Sequence, residues 1–172
     1  SLVLNTIGIL FCSSVTSSIQ MYNFESNMAD LNIVIINGPN LNLLGTRQPE
    51  IYGTQSFENY YSKLKSKYPE ITFSYFQSNI EGELISHLQK VGFENNSIIL
   101  NAGGYTHTSV AIADAVAAIS AEVIEVHISQ PASREIERHT SLLSRYSNGS
   151  ISGLGLYSYE AAALYFNNRH QS

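Results

Sequence analysis

From Asp30 onward the chain reads as an α/β domain built on a five-stranded parallel sheet with helices on both faces. Short, continuous apolar runs rich in β-branched residues, such as residues 31–36, are the mark of strands buried on both sides. Segments with apolar residues at helical spacing separate those runs. Strand and helix alternate, which is the pattern of a parallel sheet covered by its own crossover helices.

The first strand is residues 31–36. Residues 37–54 form a loop, because Gly38, Pro39, Gly45, Pro49 and Gly53 punctuate them. Ser56 is the cap of a helix carrying Phe57, Tyr60, Tyr61 and Leu64, with Glu58 in its first turn. Residues 70–77 alternate Ile71, Phe73 and Tyr75 and make the second strand. Ile80, Leu84, Ile85, Leu88 and Val91 share one helical face, and Gly92 stops that helix. The third strand is residues 97–101. Residues 108–119 are nearly all Ala, Val and Ile and predict a heavily buried helix. Residues 122–129 are the fourth strand, and 130–148 are irregular with one short helical pattern. Residues 150–156 are the fifth strand and 157–166 the closing helix.

A chain of 172 residues suits one such domain. Nine basic against 14 acidic residues give a net charge of −5, without a basic run, which argues against a nucleic-acid partner. A local arginine or a helix N-terminus can still bind a small anion. Cys12 is the single cysteine, so neither an intrachain disulfide nor a cysteine-rich metal cluster is expected, and the compartment is read as reducing and cytoplasmic. Residues 1–12 are apolar and uncharged; residues 13–27 are polar and rich in Ser. The apolar run lacks a basic segment before it and is too short to span a bilayer. The expectation is an extension over 1–29, with Met28 as the natural start, and a single catalytic domain over 30–172.

Ligands of open parallel sheets sit outside the carboxyl ends of the strands. The segments that follow strands here are residues 37–54, 101–107 and 127–138. The first contains Asn37-Gly38-Pro39-Asn40-Leu41-Asn42, then Arg47 and Tyr52. A guanidinium beside a phenol favours the phenolate and lowers its pKa from about 10. Arg47 and Tyr52 on one loop could thus form a general base. The competing reading is a turn-rich loop whose Asn side chains cap their own backbone, with Tyr52 a packing aromatic among 11 tyrosines.

The second segment is Asn101-Ala102-Gly103-Gly104-Tyr105-Thr106-His107, leading into a helix whose N-terminus could receive a carboxylate. His107 is either a ligand contact or a cap-region hydrogen bond. Asp114 lies two turns further along the same face, as a site residue or as a solvated or intersubunit charge. The third segment follows Glu125-Val126-His127-Ile128-Ser129. Residues two apart on a strand share a face, so Glu125 and His127 point the same way. A carboxylate beside an imidazole raises its pKa and fixes its orientation, which makes a general acid. The alternative is a buried pair that only stabilises the sheet. Arg134 and Arg138 follow at i,i+4 spacing, as rim cations or as a solvated face paired with Glu135 and Glu137. Gly153-Leu154-Gly155 resembles part of a dinucleotide loop but lacks the third glycine and a following βαβ unit.

Five collinear blocks, NGPNLNLLG, RQPEIYG, SNIEGELI, NAGGYTHTSVAIADA and EVHIS, resemble the type II 3-dehydroquinate dehydratases across residues 31–166. The resemblance implies a flavodoxin-like fold and a homododecamer built from trimers. It implies a hydro-lyase that turns 3-dehydroquinate into 3-dehydroshikimate, the third step of the shikimate pathway leading to chorismate. The elimination would be anti, through an enolate, with no metal and no cofactor. By position, Tyr52 would be the base, and Arg47 would depress its pKa and close the lid. Asn40 would hold a water on the enolate oxygen. His127, oriented by Glu125, would protonate the leaving hydroxyl. Asn101, His107, Ser129 and the backbone of Ile128 would grip hydroxyls and carboxylate, with Arg138 on a ring hydroxyl. Asp114 would reach the neighbouring subunit's site, with Arg134 near the interface or lid. One departure stands out: the family usually has Asn after this serine, whereas here Gln130 and Pro131 follow Ser129. A phosphate-receiving domain would instead need acidic residues after the first and third strands, where this chain has Asn37 and Asn101.

Overall fold

The computed structural model describes residues 31–45, 55–94 and 96–172. The expected extension over 1–29 lies outside the described residues, as do Arg47 and Tyr52. Strands β1 (Asn32–Asn37), β2 (Thr72–Gln77), β3 (Ser97–Asn101), β4 (Glu122–His127) and β5 (Gly149–Ser152) form one sheet. Every pairing is parallel, and the order is β2-β1-β3-β4-β5. Helices α1 (Phe57–Lys67), α2 (Glu81–Val91), α3 (Val110–Ala118) and α4 (Tyr157–His170) cover it.

Strand periodicity decides which face each side chain serves. On β1, Ile33 and Ile35 join the core that holds Phe57 and Leu64 of α1 and Tyr159 and Phe166 of α4. Val34 and Ile36 join the opposite core with Leu84 and Leu88 of α2 and Ile112 and Val116 of α3. The run is continuous in sequence because both faces are covered. On β4 the same alternation sends Ile124 and Val126 to the first core and Val123 to the second. Glu125 and His127 therefore share the α2/α3 face with Val123.

Several local readings shift: β2 begins at Thr72 rather than 70, β4 ends at His127 rather than 129, and α4 runs on to His170. The helix expected from residue 108 begins at Val110, where the Ser109 hydroxyl caps by accepting the Ile112 N–H at 2.8 Å. A 3-10 turn, Gly103–His107, precedes it, so the end of β3 meets a tight turn rather than a helix N-terminus. The strand expected over 150–156 stops at Ser152, because Gly153 (φ 84°) and Gly155 (φ 64°) take left-handed backbone that turns the chain. The irregular stretch holds two 3-10 turns, Pro131–Ser133 and Ile136–Arg138, and is anchored by the fully buried Leu143.

Since β1 pairs with β2 on one side and β3 on the other, chain direction across the sheet reverses between β1 and β3. At that point the two strand ends approach closely. The Gly38 N–H donates to the Asn101 carbonyl at 2.7 Å. A Cβ on Gly38 would sit 2.5 Å from the main-chain oxygen of Ala102, which cannot move without parting the strands. Gly38→Ala is therefore expected to destabilise the protein by about 1–3 kcal/mol, as overpacking does, and to lower activity. Gly82→Ala, whose Cβ meets nothing within 4 Å in α2, should raise Tm slightly. Thermal unfolding of both variants checks the contrast; an unshifted Tm for Gly38→Ala would contradict it.

Candidate active site

A cleft opens at the carboxyl rim above β1, β3 and β4. Its walls are the turn after β1 (Pro39, Asn40, Leu41), the end of β3 with Gly103 and His107, the end of β4 with His127, Ile128 and Ser129, and Arg134 and Arg138 beyond. The residues reach it because each follows a strand, and parallel strands deliver all their exits to one edge.

Among the described residues the most buried charged group is Glu125, 1% exposed. An ion so buried is tolerated only when its oxygens are fully paired. Here one oxygen meets His127 Nε2 at 2.6 Å and the other accepts the Ser141 hydroxyl at 2.9 Å. The amides of Leu143 and Ser144 donate to Ser141 Oγ at 3.1 and 3.0 Å, so the serine's own hydrogen is free for the carboxylate. An ionised Glu125 requires Nε2 of His127 to carry a hydrogen, which leaves Nδ1 as the second ring nitrogen for the cleft. The His107 ring lies 6.1 Å from that of His127 and nearly parallel to it, at 19°. Its Nδ1 is 2.8 Å from the Thr140 carbonyl, an acceptor only, so Nδ1 carries the proton and Nε2 is left over.

Asn40 adopts φ 69°, a left-handed conformation that asparagine tolerates. Its N–H donates to Asn79 Oδ1 at 2.9 Å, which pins the turn while its side chain stays exposed at the rim. Asn101 is buried, with Oδ1 accepting the Gly103 N–H at 3.2 Å and Nδ2 donating to Tyr159 Oη at 2.8 Å. The same phenol donates to Asn37 Oδ1 at 2.8 Å. On the outer wall, Arg138 Nε donates to Glu135, which also pairs with Arg134 at 3.5 Å. The hydrogen bond from Arg138 holds the Glu135 carboxyl down at about 2.

Of the residues named from sequence, Asn40, Asn101, His107, His127, Ile128, Ser129 and Arg138 border one cleft, with Glu125 behind His127. Asp114 is exposed on α3 and is not among the residues that border its own chain's cleft. Ser141, Thr140, Tyr159 and Asn79 escaped the sequence reading. The only signal for Tyr159 was indirect: an asparagine ending each of two buried strands must find partners. Among the described residues no group of three His, Cys, Asp or Glu is placed to hold a metal ion, and no helix is long and apolar enough to cross a membrane.

Chemically, the site offers a histidine anchored by a buried carboxylate, amide and imidazole hydrogen-bonding groups, and two arginines. That equipment suits proton transfer to a small, oxygen-rich anion. Comparison with known proteins agrees. The family described as dehydroquinase class II matches residues 31–167. A 3-dehydroquinate dehydratase of Exiguobacterium is 48% identical over 145 residues, covering 81% of this chain and 99% of its own. Another, of Hyphomonas neptunium, is 44% identical over 130 residues, covering 76% and 88%. The crystal structure of a type II dehydroquinase from Butyrivibrio crossotus superposes with a TM-score of 0.76 at 41% identity, covering 80% of this chain and 97% of that one. The fold, the rim and these likenesses together place the chain in the class II dehydroquinase family.

Proposed function

We propose that the cleft dehydrates 3-dehydroquinate to 3-dehydroshikimate by anti elimination, as the third step of the shikimate pathway. The observation that supports this most directly is the Ser141–Glu125–His127 chain of hydrogen bonds ending at the cleft. Tyr52, as phenolate, removes the proton beside the ketone, and the electron pair moves onto the carbonyl oxygen as an enolate. A water held by Asn40 donates to that oxygen. When the enolate collapses, the carbon–oxygen bond to the leaving hydroxyl breaks and His127 supplies the proton that makes it water. Asn101, His107, Ser129 and the Ile128 backbone hold the carboxylate and hydroxyls, and Arg138 holds a ring hydroxyl.

Assigning the base to Tyr52, beside Arg47, has indirect support. Burial pushes up the phenols of Tyr60, Tyr61, Tyr68, Tyr75 and Tyr159, that of Tyr75 to about 12. None of those five is suited to be a phenolate near neutral pH. In this reading residues 30–172 are one catalytic domain, no cofactor takes part, and the protein works in the cytoplasm as a homododecamer. Asp114 then completes the site of an adjacent subunit, near Arg134.

Purified protein given 3-dehydroquinate should generate the ultraviolet absorbance of a conjugated enone, unaffected by chelator or borohydride. No rise anywhere from about pH 6 to 9, the range that brackets histidine titration, would defeat the proposal. Tyr52→Phe should lower kcat by about 10²–10⁴-fold, the worth of a general base, with Tm unchanged; normal turnover would remove Tyr52 from the role. Glu125→Gln keeps the shape of the His127 partner but loses its charge, so kcat should fall by at least about 10²-fold. An undiminished kcat there would show the pair to be purely structural.

A further inference from the structure

Asn37 and Asn101 end the adjacent strands β1 and β3, both are buried, and the Tyr159 phenol lies between them. Counting hydrogens fixes the orientation of all three groups. The Gly103 N–H can only donate, so the edge of Asn101 that it meets at 3.2 Å is the carbonyl. The edge at 2.8 Å from Tyr159 Oη is then the amide nitrogen, which donates to the phenol. A phenol has one hydrogen, and it goes to Asn37 Oδ1 at 2.8 Å. Asn37 Nδ2 is left on the side of the Tyr75 phenol, which it influences as a donor. Turning both amides over would set the Asn101 nitrogen against the Gly103 N–H. The Gly103 N–H therefore fixes the Asn101 amide, the cleft-lining member of the pair.

We propose that Tyr159 is a positioning residue whose hydroxyl holds the Asn101 amide so that its second N–H, not its carbonyl, is presented to the cleft. The cleft would then select a ligand oxygen that accepts a hydrogen bond at this point. The proposal rests on the reading of the cleft as the substrate site. Burial holds the Tyr159 phenol far above its ordinary range, so it stays protonated and keeps donating to Asn37 throughout the working pH range. The ring itself packs edge-on against Phe57 at 5.0 Å, a contact that phenylalanine would retain.

The test compares KM and kcat for 3-dehydroquinate in the full chain, Tyr159→Phe, Asn101→Ala and the double variant. Tyr159→Phe should raise KM about tenfold, the worth of roughly one hydrogen bond, with kcat changed less. Added to Asn101→Ala it should raise KM no further, because the hydroxyl acts through that amide. An unchanged KM, or the same factor in both backgrounds, overturns the proposal. If the unaltered protein does not turn over 3-dehydroquinate, the functional reading alone has failed, and nuclear magnetic resonance of the Asn101 side-chain amide decides this one. The Nδ2 proton donated to Tyr159 should exchange slowly in the unaltered protein and quickly in Tyr159→Phe. Exchange as fast as that of the exposed Asn59 in the unaltered protein overturns the proposal, and that measurement also decides it should Tyr159→Phe fail to fold.

Discussion

A carboxylate almost out of reach of water, at the end of a central strand, constrains everything around it. Glu125 would be a large liability if either oxygen lacked a donor. Its two donors come from different directions: His127 from the next position on the same face of β4, and Ser141 from the irregular stretch that follows. The second donor explains why residues 130–148 must be ordered despite containing only short turns. Leu143 anchors them in the α2/α3 core, and the Leu143 and Ser144 amides orient the Ser141 hydroxyl. The same stretch lends the Thr140 carbonyl to His107. One buried charge therefore ties the packing of a loop to the orientation of two imidazoles.

The second constraint is the proximity of β1 and β3 at their carboxyl ends. Two asparagines there face one tyrosine from α4, and Gly38 leaves no side chain between the strands. Neutral amides suit this place better than carboxylates would. Two acids at the end of adjacent strands would repel each other and would favour a cation, as phosphate-receiving domains with metal do. With asparagines the rim offers hydrogen-bond donors without charge.

The parts of this structure that were legible in the sequence are those with a local period. The continuous β-branched run of β1 marks a strand buried on both faces, and the two-residue period of β4 puts Glu125 and His127 on one face. Helical spacing found α1, α2 and the core of α3 to within a few residues. What was not legible has no local pattern. Ser141 lies 16 residues from Glu125 and Tyr159 lies 58 from Asn101, and one serine or tyrosine looks like another until the chain is folded. Two boundary errors have simple causes. Thr108 and Ser109 are both good caps, and the tight 3-10 turn before them decided in favour of the second. Leu154 and Leu156 alternate like a strand, but the glycines between and before them take left-handed backbone, and Leu154 ends half exposed.

The tyrosines show how the same side chain is divided between structure and chemistry. Tyr159 and Tyr60 lie in an aromatic cluster with Phe57, where burial keeps a phenol protonated. A base needs the opposite surroundings: a cation nearby and enough water or polarity to stabilise the phenolate. The loop after β1 is the one place where the sequence sets a tyrosine within five residues of an arginine beside the cleft-lining turn, at Arg47 and Tyr52. A fold that keeps its core phenols neutral thus offers no phenolate from within its packed layers.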